Sequence, residues 1–192
     1  MSRSNDLPFA RGETAYGGDT ALIAAADATA YTGLVKTVTD PDTGEEIELI
    51  ALRNSTGGVV YPGFGYKPAA TYLDKRVDGY PTASGFGYVC DPYYRTVGTT
   101  SIASGDVAWF INKGRCNGGK TGANWTDGNA LAFVANGVMS PISATTAGMY
   151  VIARANETKV HASAATSGEY ALCYVGTAHG FYNSEAPVQT NL

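Results

Sequence analysis

The segment of this 192-residue chain whose spacing most resembles a chemical site is a phosphate-loop string from Gly114 to Thr121 that contains Lys120. A working phosphate loop opens a helix, whose N-terminus and dipole help to hold the phosphates. Here residues 122–129 are Gly, Ala, Asn, Trp, Thr, Asp, Gly and Asn, and they carry no helical pattern. The alternating strands and helices around such loops are also missing. We therefore predict a long hairpin loop over 114–127, and a nucleotide hydrolase using Lys120 is the third of three functional hypotheses.

A possible calcium loop starts at Asp40, with Asp42 and Gly44 at the first alternate positions. Pro41 lies inside it, however, and no carboxylate stands at the bidentate closing position. The pattern favours an ordinary turn between two strands. No metal site is predicted.

Histidine and cysteine side chains show no catalytic or metal-binding spacing either. His161 and His179 have no partner at ligand spacing and no nucleophile motif nearby, so we expect surface or loop residues. Cys90, Cys116 and Cys173 are odd in number and widely spaced, which predicts free thiols in a reducing compartment, with Cys90 and Cys173 packed inside strands. We predict that the chain is not an enzyme and needs no cofactor.

The two tryptophans could form a platform on which sugars stack. Trp109 alternates with Val107 and Ile111, so its side chain is expected in the interior of a sheet. Trp125 is expected to pack within a loop. A carbohydrate-binding or adhesin-like β domain, using exposed aromatic side chains, is the second functional hypothesis.

Composition points to a protein that is covered by other protein. Only 16% of the residues are charged, against about a quarter in ordinary soluble domains. Residues 59–94 are rich in Tyr, Gly and Pro, and Tyr is common at interfaces because it combines an apolar ring with a polar tip. The predicted contact residues in this loop region are Tyr61, Phe64, Tyr66, Tyr72, Tyr80, Tyr93 and Tyr94.

The N-terminal residues 1–30 are predicted to form an extended arm with a short helix at 21–27. Isolated large apolar side chains, at Leu7, Phe9 and Tyr16, would anchor it on a neighbouring subunit. A frayed terminus is the alternative interpretation. Net charge is −4, which provides no basic surface for nucleic acid. No apolar run reaches the roughly 20 residues that span a membrane, and the first residues lack the apolar stretch of a secretory signal.

Residues 31–192 are predicted to be a single all-β domain, an antiparallel β-sandwich or barrel with long loops. Hydrophobic residues alternate with period two, and clusters of Gly, Asn, Ser and Pro separate the runs. A hairpin loop is expected at 40–45. Strands are expected at 34–39, 47–52, 87–90, 106–112, 130–135, 149–155 and 170–175.

Between residues 101 and 177 the order of elements resembles the small β-rich head proteins of tailed bacteriophages, the decoration or cement family. The matching features are Ser104-Gly105-Asp106 leading into 107–114, then 127–131, 136–141, 147–155 and 169–175. The resemblance implies a compact, barrel-like β module on the outside of a capsid.

The first functional hypothesis is therefore a virion structural protein that stabilises the head by bridging neighbouring major capsid proteins. Its partners would be the major capsid protein and copies of itself, with a trimer as one possible state. It would bind neither nucleic acid nor membrane. It would be made in the host cytoplasm and end on the capsid exterior. An arm and several aromatic loops would supply weak contacts that many copies multiply, and the arm could add a strand to a neighbouring sheet.

Overall fold

The computed structural model of the chain describes residues 32–40, 43–69, 75–81, 85–96, 98–142, 150–161 and 169–176, together with the backbone of 181–182. The predicted N-terminal arm lies outside these residues, including its helix at 21–27 and its anchors Leu7, Phe9 and Tyr16. Tyr72 and His179 lie outside them as well.

Strands dominate the described residues, and the all-β class is confirmed. The two helical elements among the described residues are single turns, α1 (Tyr93–Thr96) and a 3₁₀ turn (Ala135–Gly137). The strands are β1 (Val35–Thr39), β2 (Glu46–Asn54), β3 (Gly65–Tyr66), β4 (Arg76–Val77), β5 (Tyr88–Cys90), β6 (Val107–Lys120), β7 (Ala130–Phe133), β8 (Met139–Pro141), β9 (Tyr150–Val151), β10 (Ala153–Ala155), β11 (Tyr170–Val175) and β12 (Phe181–Tyr182).

Ten of these strands form one sheet, in which β6 is the central element. The main path runs β1-β2-β6-β11-β10-β7-β8, with β3, β4 and β5 attached beside it, while β9 and β12 form a separate pair. The strand pairs of the ten-stranded sheet are antiparallel, except that β2 and β4 pair in parallel. An isolated bridge between Thr121 and Met139 brings β8 close to the end of β6. The sheet is nevertheless not closed into a barrel.

Strand β6 joins the two halves of the sheet and exchanges its pairing partners at Gly114. Before this point β6 pairs with β2 and β5, and after it β6 pairs with β11. Gly114 has a φ of +113°, and a Cβ there would lie 2.9 Å from the carbonyl oxygen of Glu46. The predicted hairpin loop over 114–127 is therefore wrong for residues 114–120, which continue β6. Gly114 allows this because it accepts both the positive φ and the close approach of Glu46.

Among the described residues, one hydrophobic core includes side chains from both halves of the sheet. Trp109, in β6, is 3% exposed, which confirms its predicted place inside the sheet. Trp125 lies in the loop after β6, is 1% exposed and donates its indole N–H to the carbonyl oxygen of Met139 at 3.2 Å. Its predicted packing within a loop is confirmed.

Strand β1 ends the described sheet and carries a buried charge. Lys36 is 7% exposed, and its Nζ lies 4.2 Å from the ring centroid of Trp109. Burial lowers the pKa of Lys36 to about 8, and the carboxylate of Asp91 opposes this shift. Charges that point inward from an end strand are a known protection against pairing with other chains.

The titration of Lys36 predicts a specific pH dependence of stability. Its pKa is about 8 in the folded chain, against the ordinary lysine value of 10.5 that applies once the chain unfolds. Between these values the unfolded chain binds the extra proton, so stability rises with pH. The measured quantity is the free energy of unfolding of the wild type minus that of Lys36→Met. We expect this difference to increase by roughly 2–3 kcal/mol from pH 8 to pH 10.5. Urea unfolding of both proteins at several pH values measures this difference.

Raised pKa values of Cys90, Cys173 and Tyr66 in the folded chain also make stability depend on pH in this range, but both proteins contain these groups, so their effects cancel in the difference. Lys113→Met, at an exposed position of β6, is the matched control. A difference between wild type and Lys36→Met that stays constant with pH would contradict the prediction.

Candidate functional site

Three of the predicted contact residues form a row of rings at the surface. The ring centroids of Tyr61 and Phe64 are 5.8 Å apart, and those of Phe64 and Tyr80 are 6.3 Å apart. Tyr61 is 41% exposed, Tyr80 is 37% exposed and Phe64 is half-buried. Exposed apolar clusters commonly mark binding sites. We call Tyr61, Phe64 and Tyr80 the aromatic row.

Two other predicted contact residues, Tyr66 and Tyr94, belong to the core, with 1% and 2% exposure. Tyr66 stacks on Tyr80 at 5.2 Å, and its hydroxyl accepts the backbone N–H of Tyr61 at 2.8 Å. The hydroxyl of Tyr94 accepts the backbone N–H of Trp109 at 2.9 Å. The interface prediction is wrong for both, because each phenol is buried with its hydroxyl satisfied by the backbone. Burial also raises the pKa of Tyr66.

Two cations lie against aromatic rings next to this row. The Nζ of Lys120 is 5.3 Å from the ring centroid of Phe64 and 4.8 Å from that of Tyr170. The Cζ of Arg95 lies 3.3 Å from the Tyr170 centroid. Two positive charges therefore lie against the Tyr170 ring, and cation–π attraction helps to hold the side chains of Arg95 and Lys120 in place.

The surroundings of Lys120 disfavour the charged form of its side chain. Burial lowers the pKa of Lys120, and the positive charge of Arg95 lowers it further. The carboxylate of Glu169 opposes both effects. An anion placed near Arg95 would reduce the repulsion between the two cations.

The loop that presents the aromatic row is fastened to β6 at Gly63. The N–H of Gly63 donates to the carbonyl oxygen of Cys90 at 2.8 Å, and the N–H of Lys120 donates to that of Gly63 at 2.9 Å. Gly63 has a φ of +88°, and a Cβ there would overlap the carbonyl oxygen of Gly118 and lie 2.8 Å from the Tyr170 ring. Glycine is required here both for its backbone conformation and for the close approach.

The remaining glycines of the phosphate-loop string also serve packing. A Cβ on Gly118 would lie 3.1 Å from Pro92, and one on Gly119 would overlap the end of Met139 and lie 3.4 Å from Trp125. Lys120 is the last residue of β6, so the string lies in a strand and opens no helix. Its spacing reflects the close packing of β6 against its neighbours.

A pocket of about 260 Å³ lies beside Arg95. The N–H of Tyr93 donates to the Oδ1 of Asp91 at 3.0 Å, which sets the start of α1 on one side of the pocket. Tyr93, a predicted contact residue, is half-buried. The pocket is lined by Pro92, Tyr93, Arg95, Thr96 and Asn117.

The candidate calcium residue Asp40 is completely buried and is bonded to protein groups. Its Oδ2 accepts the amide of Asn117 at 3.0 Å and lies 3.5 Å from the Nε of Arg115. Its Oδ1 accepts the N–H of Thr43 at 3.3 Å, and its backbone N–H donates to the carbonyl oxygen of Glu45 at 2.8 Å. The predicted turn is confirmed, and this carboxylate ties it to β6.

Thr121 and His161 form a contact that resembles a nucleophile and its base. The Oγ1 of Thr121 lies 2.9 Å from the Nδ1 of His161 and 3.1 Å from the carbonyl oxygen of Glu169. Thr121 is only 1% exposed, and the backbone N–H of His161 donates to Asn124 at 2.7 Å. These bonds join the end of β6 to the segment before β11.

All three cysteines are buried free thiols in strands, which confirms the predicted packing of Cys90 and Cys173. Cys116 and Cys173 are register partners across β6 and β11. Burial raises the pKa of Cys90, and a hydrogen bond with Cys116, together with burial, raises the pKa of Cys173. These two thiols therefore have little thiolate character near neutral pH.

Within the described part of the chain, no group of three His, Cys, Asp or Glu side chains could hold a metal ion. In the same residues, no helix has the length and apolar character required to cross a membrane.

No protein-family model matches the sequence, and no curated protein is significantly similar to it. The surface that the side chains form is therefore the basis for inferring the function.

The sequence reasoning missed Arg95 and Tyr170 as parts of the site, and it weighed Lys120 only as a nucleotide ligand. Lys120 and Tyr170 are register partners across β6 and β11, so their contact depends on a strand pairing between distant segments. Alternation in β11 was the one available signal, since it places Tyr170 on the opposite face from the buried Cys173.

Proposed function

We propose that the chain is a virion structural protein, a capsid cement or decoration subunit that bridges neighbouring major capsid proteins and has no enzymatic activity. The aromatic row is the observation that supports this proposal best. It puts three rings at the surface of a chain in which only 16% of residues are charged. Protein interfaces are enriched in aromatic residues and depleted in charged ones at their centre.

In this proposal the partners are the major capsid protein and copies of the chain itself, on the capsid exterior. The trimeric state implied by the family resemblance belongs to the same proposal. Single contacts can be weak, because many copies and several contact patches raise the effective concentration of each contact.

Side-chain contacts fit the described surface better than strand addition does. At one end of the described sheet, β1 carries the inward charge of Lys36. At the other end, β8 carries Pro141, which has no N–H to donate. Both features oppose pairing with a further strand. We therefore place the main contact at the aromatic row.

The test is binding of the purified chain to capsid shells that lack it, measured by cosedimentation. The double variant Tyr61→Ala/Tyr80→Ala is expected to bind at least tenfold more weakly, since two interface tyrosines contribute on the order of 1–2 kcal/mol each. Both side chains are exposed, so the fold should be retained. Tyr174→Ala, which removes a tyrosine that is 38% exposed and lies outside the row, is the matched control. Undiminished binding by the double variant would refute the aromatic row as the contact.

A carbohydrate-binding or adhesin-like function is the second candidate, because the pocket combines the Tyr93 ring with the polar side chains of Thr96 and Asn117. Binding of the isolated protein on a glycan array would favour this candidate. Loss of shell association after deletion of residues 1–19 would favour the capsid function.

A further inference from the structure

Arg95 is a positioned cation whose hydrogen-bond donors are unused within the described residues. Its guanidinium stacks on Tyr170 at 3.3 Å, and no described carboxylate lies within ion-pair distance of it. A guanidinium that stacks through its face keeps its N–H groups directed outward from its edge. Those groups have the spacing that a carboxylate accepts with both oxygens.

The polar side chains of Asn117 and Thr96, which also line the pocket, are already engaged. The amide of Asn117 donates to Asp40 at 3.0 Å, and its oxygen accepts from Arg115 at 2.7 Å. The hydroxyl of Thr96 donates to the carbonyl oxygen of Tyr93 at 2.7 Å. Arg115 itself is held by Asp40 and Glu45. Arg95 is therefore the one charged side chain among the described lining residues, and it lies beside the apolar surfaces of Pro92 and Tyr93.

We propose that this pocket receives an aspartate or glutamate side chain from an extended acidic segment of the capsid partner, with the carboxylate bound by Arg95. The inference rests on the proposed function, because it names the chemistry of the partner at the same surface. The short apolar stem of such a side chain fits against Pro92 and Tyr93 while its charge meets the guanidinium.

An acidic peptide fits this site better than a nucleic acid. Binding of a nucleic acid depends on several cations that neutralise successive phosphates. The chain has a net charge of −4, and Arg95 is the one cation among the described residues that line the pocket. A single carboxylate needs only one cation. Its binding would also offset the repulsion between Arg95 and Lys120, which agrees with the lowered pKa of Lys120.

The experiment is a titration of the full chain with hexaglutamate, followed by NMR of the backbone amides. Shifts are expected at residues 93–96 and 117, with binding at least fivefold weaker in Arg95→Gln and also in Arg95→Lys, which keeps the charge but loses the bidentate geometry. Lys113→Gln removes one charge from an exposed position of the same sheet and is expected to bind as the wild type does. Arg95 is exposed, so these variants should remain folded, and their thermal unfolding checks this.

Hexaglutamate binding that is unaffected by Arg95→Gln would overturn the inference, as would equal shifts with inorganic phosphate at the same ionic strength or stronger binding of a DNA oligonucleotide. Cosedimentation with capsid shells separates this result from the proposed function. If wild type and Arg95→Gln decorate shells equally well, the carboxylate pocket is wrong and the cement function stands. If neither binds shells while hexaglutamate still binds at Arg95, the cement function is wrong and the acidic segment must come from another protein, which overturns the inference in the form proposed here.

Discussion

Gly63→Ala is expected to lower the free energy of unfolding by about 3–4 kcal/mol, the sum of a left-handed backbone conformation and overpacking. Gly63 has a φ of +88°, and the added methyl group would overlap the carbonyl oxygen of Gly118 and press on the Tyr170 ring. Relief of this overlap moves the loop that carries Tyr61 and Phe64 away from β6. Urea unfolding followed by circular dichroism measures the loss, and shell binding should fall with it.

The control for this prediction is Gly57→Ala. Gly57 has a φ of +75°, but no atom lies within 4 Å of the position of its Cβ. This variant is expected to lose only about 1–2 kcal/mol, the cost of the backbone conformation alone. Equal losses in the two variants would show that the close approach of the loop to β6 contributes nothing.

Trp125→Ala is expected to lower the free energy of unfolding by about 3–5 kcal/mol, as is usual for a large buried aromatic side chain. Trp125 is 1% exposed and fills the space above Gly119, in contact with the end of β6 and with β8. Its removal leaves a cavity between these elements. Chemical unfolding followed by circular dichroism is the appropriate measurement, because the substitution also removes one of the two tryptophan fluorophores.

Trp125→Phe separates packing from hydrogen bonding in the same position. It keeps an aromatic ring but removes the N–H that donates to Met139, so a loss of about 1–2 kcal/mol is expected. A loss below about 1 kcal/mol for the alanine variant would mean that the loop is not part of the cooperative core.

Strand chemistry was readable from local sequence in most of the described chain. Alternation in residues 170–175 predicted the bounds of β11, and the turn residues after Thr39 predicted the hairpin between β1 and β2. The run at 149–155 became two short strands, β9 and β10, which pair with different partners. Local alternation reports which residues can be half-buried, whereas the length and pairing of a strand depend on its neighbours.

The glycine-rich string before Thr121 shows where local sequence patterns mislead. Gly and Asn are typical of turns, and they led to a predicted loop where β6 continues to Lys120. In the folded domain Gly63, Pro92, Trp125 and Met139 approach this strand from distant parts of the chain. A glycine can thus mark either a turn or a position where another segment packs closely against the backbone. Only the tertiary structure shows which of the two applies.

Composition and alternation in the sequence by themselves determined the all-β class, the buried places of Trp109, Cys90 and Cys173, and the unusually low share of charged residues. Tertiary structure alone decided that Tyr66 and Tyr94 are core residues while Tyr61 and Tyr80 reach the surface, and that Arg95 and Lys120 share the ring of Tyr170. The physical reason is that hydrophobic character and strand period are local properties of the chain. The burial of one tyrosine among many, and the meeting of two cations on one ring, depend on segments that the sheet brings together from far apart in sequence.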